Sequence, residues 1–523
     1  MSIFNYKKII NHTYIILIVL FSFLINWHYS KYGVFPIDSF LHYDSAYRIL
    51  NGEYPIKDFW VVSGIFVDYL QALFFKILGV NWYSYIFHSS LMNVLISTLT
   101  FSTLVKFNLK KKFAFFYSIC FAVLAYPVSG TPFVDLHATF FSVGALYFTL
   151  LAIKKPEEYL NWFLLVTFYF FAFFSKQVPT TYIILSNIVI IFPYLLIDKK
   201  FKPLLIIFLS LLFYLLIFLV LLRILGIEFN NFYIQYIDYP RTIGSSRLNF
   251  FKFSIVSFIS HYKFILIPLF FLLFIKTNQI IKNKIKFYSS EYVNFLIYFV
   301  LCLTLFLNQL LTRNQIYIYF LIPLTFAFLQ IEIEKLNLKY RNIFNYLIIF
   351  IVIFSTIKYH IRYNENRKFH ELSKTDISKN IEATALHESL KGILWISPFY
   401  KGDAQEEIEM LKKVKFQLDK KKNIMLVSHY LFLDSITLTN LNSPSKTHTI
   451  DGASIPMNNS KYFNYYKNFL YAKFKKKKIK EVYFIKSENM SHAVFTNFFQ
   501  ADCYVKIEKD IFFIYKIKNN CLN

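Results

Sequence analysis

The sequence predicts a polytopic α-helical membrane protein that carries a small soluble α/β domain at its C-terminal end. Three observations predict it. Of 523 residues, 56% are hydrophobic, including 64 Phe and 40 Tyr, and a soluble fold this rich in large apolar side chains has too little interior to hold them. Apolar runs such as 14–27, 204–222 and 343–357, with their flanks, approach the roughly 20 residues that a helix needs to cross a bilayer. From about residue 360 the pattern changes to strand-like runs alternating with helix-like ones. The chain is therefore divided into a membrane domain, 1–359, and an α/β domain, 360–523.

The formal charge is +26, yet its distribution argues against a nucleic-acid partner. Lys and Arg gather in short gaps between apolar runs, at 7–8, 106–112, 154–155, 199–202, 276–286 and 335–341, where they set orientation. Placing all these gaps in the cytoplasm predicts about eleven spans: 12–30, 82–105, 113–129, 137–153, 160–175, 178–197, 203–225, 253–275, 292–312, 314–331 and 342–359. The N-terminus is then inside and the C-terminal domain outside the cytoplasmic membrane. The first run has no small-residue cleavage site after it and reads as a retained helix. The segment 59–79 is apolar enough to span, but counting it would turn the basic gap 106–112 outward. Its polar positions Gly64, Asp68 and Gln71 recur at helical spacing, so it reads as an amphipathic helix on the outer surface with one wet stripe.

The remaining outer segments carry mixed chemistry, whereas the inner gaps hold Lys and little else. Residues 126–137 form a Pro/Gly-punctuated turn ending in Asp135 and His137; Ser175-Lys176-Gln177 and Thr312-Arg313-Asn314-Gln315 are tight polar corners. Residues 226–249 read as a longer loop with Arg241 and Arg247. In the tail, 392–397, 423–428, 481–486 and 511–518 look like strands, and 404–419 and 461–478 like helices. No Gly-rich phosphate loop or nucleophile elbow accompanies them. The basic end of the last helix, Lys475 to Lys478, has two readings: contact with anionic lipid or glycan, or a solvated face. Cys120 and Cys302 lie inside apolar runs as core residues; Cys503 and Cys521 could pair if the tail is extracytoplasmic, with free thiols the favoured reading.

The first outer loop is the most informative stretch. Asp38, Asp44, Glu53, Asp58 and Asp68 all fall between residues 36 and 68, in a membrane part otherwise poor in acids. Combined with Asp135 and with the cations Lys176, Arg241, Arg247 and Arg313, these residues suit sugar transfer from a lipid phosphate. A carboxylate takes the proton of the attacking hydroxyl, the transition state resembles an oxocarbenium ion, and a cation meets the charge on the departing phosphate.

The run His42-Tyr43-Asp44, Ala46-Tyr47, Leu50-Asn51-Gly52-Glu53-Tyr54-Pro55 and Asp58-Phe59 resembles the first outer loop of GT-C glycosyltransferases. The nearest types are the protein O-mannosyltransferase, aminoarabinose lipid A transferase and rhizobial galacturonosyltransferase groups. Gly52, Pro55, Asp58 and Phe59 keep that frame, with Ile56 where an aromatic is usual. Ser175-Lys176-Gln177 resembles the Lys-Gln corner of these proteins, and Arg313, Tyr317 and Pro323 a later helix start. The resemblance spans roughly 12–330. It implies Asp44 as general base, Asp135 as its support, and Lys176, Gln177 and Arg313 around the lipid phosphate; Arg247, His42 and His137, on the same outer side, are further candidates for substrate binding. It departs from relatives that carry two adjacent acids, since Asp44 is flanked by Tyr43 and Ser45.

Each residue also has a structural reading. Asp44 is placed to cap a helix beginning at Ser45, and Asp135 to cap the span that follows it. Asp38 is a turn or cap residue. Asp58 pairs with Lys57 or Arg48, or fixes a turn. Lys176 anchors a helix end by snorkelling. No cofactor is required; a divalent cation on Asp44, Asp135 and one histidine is an alternative that the available cations make unnecessary.

The expected activity is transfer of a sugar from a polyprenyl-phosphate donor to a glycan, lipid or protein acceptor at the outer face of the membrane, with inversion. A lipid-linked sugar transporter and an O-antigen polymerase or ligase are the rivals. The nearly uniform apolarity of the spans, interrupted at Asn308-Gln309, disfavours the first, and the position of the acids after the first helix disfavours the second.

Overall fold

The computed structural model describes residues 3–125, 130–248, 251, 253–282, 284–286, 288–312, 318–336, 339–368, 372–419, 421–437, 439–449, 452–518 and 521, with side chains omitted for 3–11 and 246–248. Helices occupy every segment read as a span: α1 (Ile3–Tyr29), α4 (Trp82–Lys106), α5 (Lys111–Ala125), α6 (Val134–Lys154), α7 (Tyr159–Ser175), α8 (Gln177–Ile197), α9 (Phe201–Leu225), α12 (Ile255–Ile281), α13 (Ser290–Thr312), α14 (Leu321–Lys335) and α15 (Arg341–His360). Among the described residues, seven helices are long and apolar enough to cross a membrane. Their outward faces fit only an apolar solvent. On α9, Leu205, Phe208, Leu212 and Leu216 are between 42% and 62% exposed, an arrangement stable in lipid and not in water. The chain is a membrane protein.

α6 lies at the centre, buried along nearly its whole length between α4, α7, α8 and α13. Gly144 permits the close approach to α7, because a Cβ there would strike the Phe168 ring. Three polar pairs inside the bundle join neighbouring helices, where hydrocarbon offers no other partner: Thr100 with Tyr147 at 2.7 Å, Tyr117 with Gln330 at 2.6 Å, and Tyr298 with Thr325 at 2.6 Å.

The ends of the bundle differ. At one, Lys154 donates to Lys106 O, and Lys276, Glu291, Glu332 and Lys335 form a four-charge network with contacts of 2.6–2.8 Å. The sequence suggests lysine and little else at this end. The lysines instead find acids on α13 and α14, so the charge is neutralised where helices meet. The other end is capped. There the Gly130 carbonyl takes hydrogen bonds from Ser30, Ser89 and Asn26, at a backbone φ of +61° that glycine tolerates, and Tyr29 bonds His360.

Two helices, α2 (Pro36–Leu50) and α3 (Ile65–Leu78), lie on this capped end, and at 15 and 14 residues both are shorter than the roughly 20 that cross a bilayer. α3 is amphipathic, with the opposite sense to the wet stripe read from its sequence. Asp68 and Gln71 are buried against protein, and Leu73, Lys76, Ile77 and Leu78 are the exposed residues. Asp44 lies in the middle of α2 and Phe35 holds the N-cap position, so Asp44 caps no helix. Asp135 likewise follows the N-cap residue Phe133 of α6, in the first turn of a positive helix end. The described part of the 226–249 segment, 226–248, is mostly helical rather than a loop: α10 (Phe229–Phe232), a wider turn (Tyr233–Asp238) and α11 (Tyr239–Leu248). Tyr239 packs against Trp60 of the first loop and Tyr462 of the tail.

In the tail a two-stranded ribbon, β1 (Ile381–Glu382) and β2 (Leu394–Trp395), precedes a four-stranded sheet of β3 (Ile424–Val427), β4 (Glu481–Ile485), β5 (Tyr504–Lys509) and β6 (Phe512–Ile517) in the order β3-β4-β6-β5. β3 and β4 are parallel, and the other pairs antiparallel. β5 escaped the sequence reading because charged residues occupy its alternate positions and both faces are largely exposed. Alternation along β4 serves two cores. Tyr483 and Ile485 face α16 (Ala404–Leu418), and Val482 and Phe484 face α18 (Phe463–Lys477). The first of these cores continues into the bundle through Phe40, whose ring lies 4.6 Å from that of Phe432 and 5.3 Å from that of Trp82.

Cys503 and Cys521 form a disulfide, contrary to the expectation of free thiols; the fold brings their Cα atoms to 5.5 Å. Cys120 and Cys302 are free and buried. Cys521→Ser is expected to destabilise the sheet end by about 3 kcal/mol, the size for a loop of this order. Differential scanning of oxidised protein against the variant checks it, with equal melting as the contrary result.

Candidate functional site

The capped end gathers its polar residues around α2, on opposite sides of that helix. After α2 the chain turns at Gly52 (φ +80°), and Asp58 closes the turn by accepting from the Tyr54 amide at 3.0 Å. Phe59 returns beneath Arg48, whose guanidinium stands 3.9 Å from the ring centre. The Gly52–Phe59 frame is thus a platform that fixes Arg48.

On one side of α2, Arg48 binds Glu53 with two hydrogen bonds of 3.0 and 3.1 Å and lies 3.7 Å from Asp44. The tail supplies the other charges. Lys473 and Lys477 reach Glu53 at 3.6 and 2.7 Å, and Lys476 reaches Asp58 at 2.8 Å. The lysines of α18 meet the acids of the first loop, which neither reading of the basic helix foresaw. Burial alone would raise the Glu53 carboxyl, yet Arg48, Lys473 and Lys477 outweigh it and hold Glu53 well below the usual range. Asp44 lacks such a surplus. Its burial, with Asp434, Glu53 and Asp68 nearby, overcomes Arg48 and pushes it up to about 8.

On the other side, His42 Nδ1 lies 2.6 Å from Asp68, and both carboxylate oxygens of Asp68 lie 2.7 Å from Lys446 Nζ. Asp68 and His42 are fully buried. Lys446 enters from the tail because two backbone bonds, Trp60 N to Pro444 O and Lys446 N to Trp60 O, pin its loop to the segment after the first-loop turn. Burial, followed by Lys446, drives the His42 ring well below its ordinary pKa. The neutral ring then donates from Nδ1 to Asp68, and Nε2 is left as a buried acceptor without a hydrogen-bond partner among the described residues. Gly64 makes this packing possible. Its φ is +85°, and a Cβ would come within 2.8 Å of His42, Lys446 and Val134.

Val134 leads to the second pair. Lys176, at the corner between α7 and α8, binds both oxygens of the adjacent Asp135 at 2.7 Å; its side chain is 21% exposed and that of Asp135 6%. Gln177 is not turned toward a ligand. It donates to the Val62 and Tyr236 carbonyls and ties the corner to the first loop. His137 bonds His88 at 3.1 Å, and His88 bonds Gln71 at 2.9 Å.

Directly below this corner, α7, α8 and α9 leave an apolar groove of 420 Å³, lined by residues that include Tyr169, Phe173, Phe174, Ile188, Leu211 and Phe218. Phe173 and Phe174 are within three residues of Lys176, so the groove reaches the Asp135–Lys176 pair within about one helical turn. On the far side of α2, between that helix and α17 (Leu433–Ile436), lies a polar cleft of 440 Å³. The charged residues form a belt from cleft to groove: Asp434, Asp44 with Arg48, the Lys446–Asp68–His42 cluster, then Asp135 with Lys176.

Of the residues singled out from the sequence, Asp44, His42, Asp135, His137, Lys176 and Gln177 gather on the capped end. Asp44 and Asp135 have separate partners, and no hydrogen bond or ion pair joins them among the described residues. Arg313 and the side chain of Arg247 lie outside the described residues. Among the described residues no group of three or more His, Cys, Asp or Glu is placed to hold a metal ion. Residues that sequence reasoning passed over are Asp434, Lys446 and Lys473; Arg48, read there as a partner of Asp58, binds Glu53 and lies beside Asp44 instead, and Asp58 pairs with Lys476.

No family model matches the sequence, and no curated relative matches it. Among solved structures, the archaeal oligosaccharyltransferase AglB from Archaeoglobus fulgidus, in complex with an inhibitory peptide and a dolichol-phosphate, is similar with a TM-score of 0.46 at 10% identity, over 92% of this chain and 70% of that one. The Archaeoglobus fulgidus oligosaccharyltransferase complex with zinc and sulfate gives a TM-score of 0.45 at 12% identity, over 96% of this chain and 73% of that one. A likeness of this strength carries no statement about activity or fold family.

Proposed function

We propose that this membrane protein is a glycosyltransferase that moves a sugar from a polyprenyl-phosphate donor to a hydroxyl of a glycan, lipid or protein acceptor, at the capped end of its bundle. The observation that carries the reading is the apolar groove between α7, α8 and α9, whose lining residues Phe173 and Phe174 lie within three residues of Lys176, the partner of Asp135. A polyprenyl chain fits a long, lipid-facing, aromatic-lined groove, and its phosphate then arrives at a partly exposed ammonium. The acceptor oxygen attacks the anomeric carbon, and its proton passes to the ionised carboxylate of Asp44. The bond from that carbon to the phosphate oxygen breaks, and the lipid phosphate departs with the electron pair toward Lys176. Asp135 holds Lys176 in place before the donor binds. The reading agrees with the resemblance of the first loop to GT-C enzymes, and it places the capped end and the tail outside the cytoplasmic membrane. The Cys503–Cys521 disulfide supports that side, since such bonds persist in oxidising compartments.

The test uses full-length protein in lipid nanodiscs with undecaprenyl phosphate as probe. Lys176→Ala is expected to weaken its binding at least tenfold, and so is Asp135→Asn/Lys176→Ala, which leaves no buried carboxylate unpaired and is expected to melt near wild type. Equal binding by wild type and variant would remove Lys176 from the phosphate and with it the donor assignment.

A further inference from the structure

The polar cleft on the far side of α2 has no part in holding a lipid, and its walls belong half to the first loop and half to the tail. Its volume of 440 Å³ is in the range of small-molecule sites, roughly 300–1,000 Å³. The side chains around it are of one chemical kind. Asn51 and Asn440 offer amides, Thr437 and Thr439 hydroxyls, Glu53 and Asp434 carboxylates, with Arg48 on the floor and the Tyr47 ring at the edge. Among the described residues no aliphatic side chain lines it.

We infer that this cleft is the acceptor subsite and that its occupant is a saccharide. The inference rests on the transferase reading and narrows its acceptor to a glycan. A pyranose is covered with hydroxyls that both donate and accept, so it needs carboxylate and amide acceptors beside amide and guanidinium donors, and a ring edge for its apolar face. A peptide in extended form instead takes a strand edge with alternating side-chain pockets, or an apolar groove; the cleft offers neither. Part of the lining is already fixed from behind. Asp434 accepts from the Leu441 amide at 2.9 Å, Thr439 donates to Leu418 O at 2.9 Å, and Arg48 is held by Glu53 and the Ser443 carbonyl. These groups are pre-oriented, while Asn51 and Asn440 at the rim are exposed. Arg48 also touches Asp44, so a sugar seated over Arg48 has a hydroxyl on the side of the proposed base.

Saturation-transfer difference NMR on the full-length protein in nanodiscs tests this. The probes are the methyl glycosides of glucose, galactose, mannose and N-acetylglucosamine, and a Ser/Thr-containing hexapeptide. At least one glycoside is expected to bind wild type and to bind the rim variant Asn51→Ala/Asn440→Ala at least tenfold more weakly. Both rim side chains are exposed, and an unchanged melt verifies that the variant folds. Lys176→Ala is expected to leave glycoside binding intact. Three results would overturn the inference: no glycoside binds wild type, the rim variant binds as wild type does, or the hexapeptide is the probe whose binding the rim variant loses. A cleft that binds no glycoside while undecaprenyl phosphate binding depends on Lys176 sinks the subsite alone. The converse pattern leaves the cleft and removes the donor assignment.

Discussion

Asp44→Asn is expected to lower turnover by a factor of about 10² to 10⁴ and to leave the melting temperature near that of wild type. The range is that of a positioned general base. Asn fills the same space and keeps a hydrogen-bonding oxygen toward Arg48, but it accepts no proton at neutral pH. The pH profile separates this role from a structural one. Burial, with Asp434, Glu53 and Asp68 around it, lifts the Asp44 carboxyl to about 8, and transfer needs the ionised form. Turnover is therefore expected to rise with pH through the neutral range and to level off above about 8. Asp434→Asn removes a neighbouring negative charge, so its ascending limb should lie at lower pH than that of wild type. A purely structural Asp44 would leave the limb in place in both variants, and normal turnover by Asp44→Asn would end its assignment as base.

The bundle was legible because hydropathy reports burial in lipid directly: each apolar run had only one way to hide its backbone, as a helix. That 59–79 holds an amphipathic helix was legible too, through the spacing of Gly64, Asp68 and Gln71. The direction of its polar stripe was not. An amphipathic pattern states that two faces differ, and whether the polar face meets water or a buried histidine depends on what packs there. Asp44, Asp135 and Lys176 stood out as charges in an apolar setting. Lys446 did not, as one of 57 Lys and Arg in a Ser-Pro-Ser-Lys-Thr-His stretch typical of a surface loop. Its partner Asp68 is 378 residues away, and only the docking of the tail on the first loop joins them. The Cys503–Cys521 bridge was missed for the same reason: pairing depends on β5 and β6 closing against each other.

Lys446→Met is expected to destabilise the capped end by about 3–5 kcal/mol near pH 8, the cost of leaving a buried carboxylate without its cation. Met keeps the length and apolar stem of the side chain, so the loss is electrostatic. The pH dependence fixes the sign. Burial raises the Asp68 carboxyl to about 7 even against the pull of Lys446, and without the ammonium it moves higher still. A carboxyl whose folded pKa is raised contributes stability that is complete below the unfolded value, about 4, and is lost as pH rises through the folded value. The gap between variant and wild type should then be small at pH 5, where the lone Asp68 keeps its proton in the folded protein, and widest above pH 7. Adding Asp68→Asn to Lys446→Met removes the unpaired charge, so the double variant should regain most of the loss at pH 8, because replacing both members of a buried pair is often close to neutral. Thermal unfolding of the three proteins at pH 5 and pH 8 decides it. A loss equal at both pH values, or a double variant no better than the single, would mean that Lys446 acts through packing of its loop on Trp60 and not through the charge it brings to Asp68.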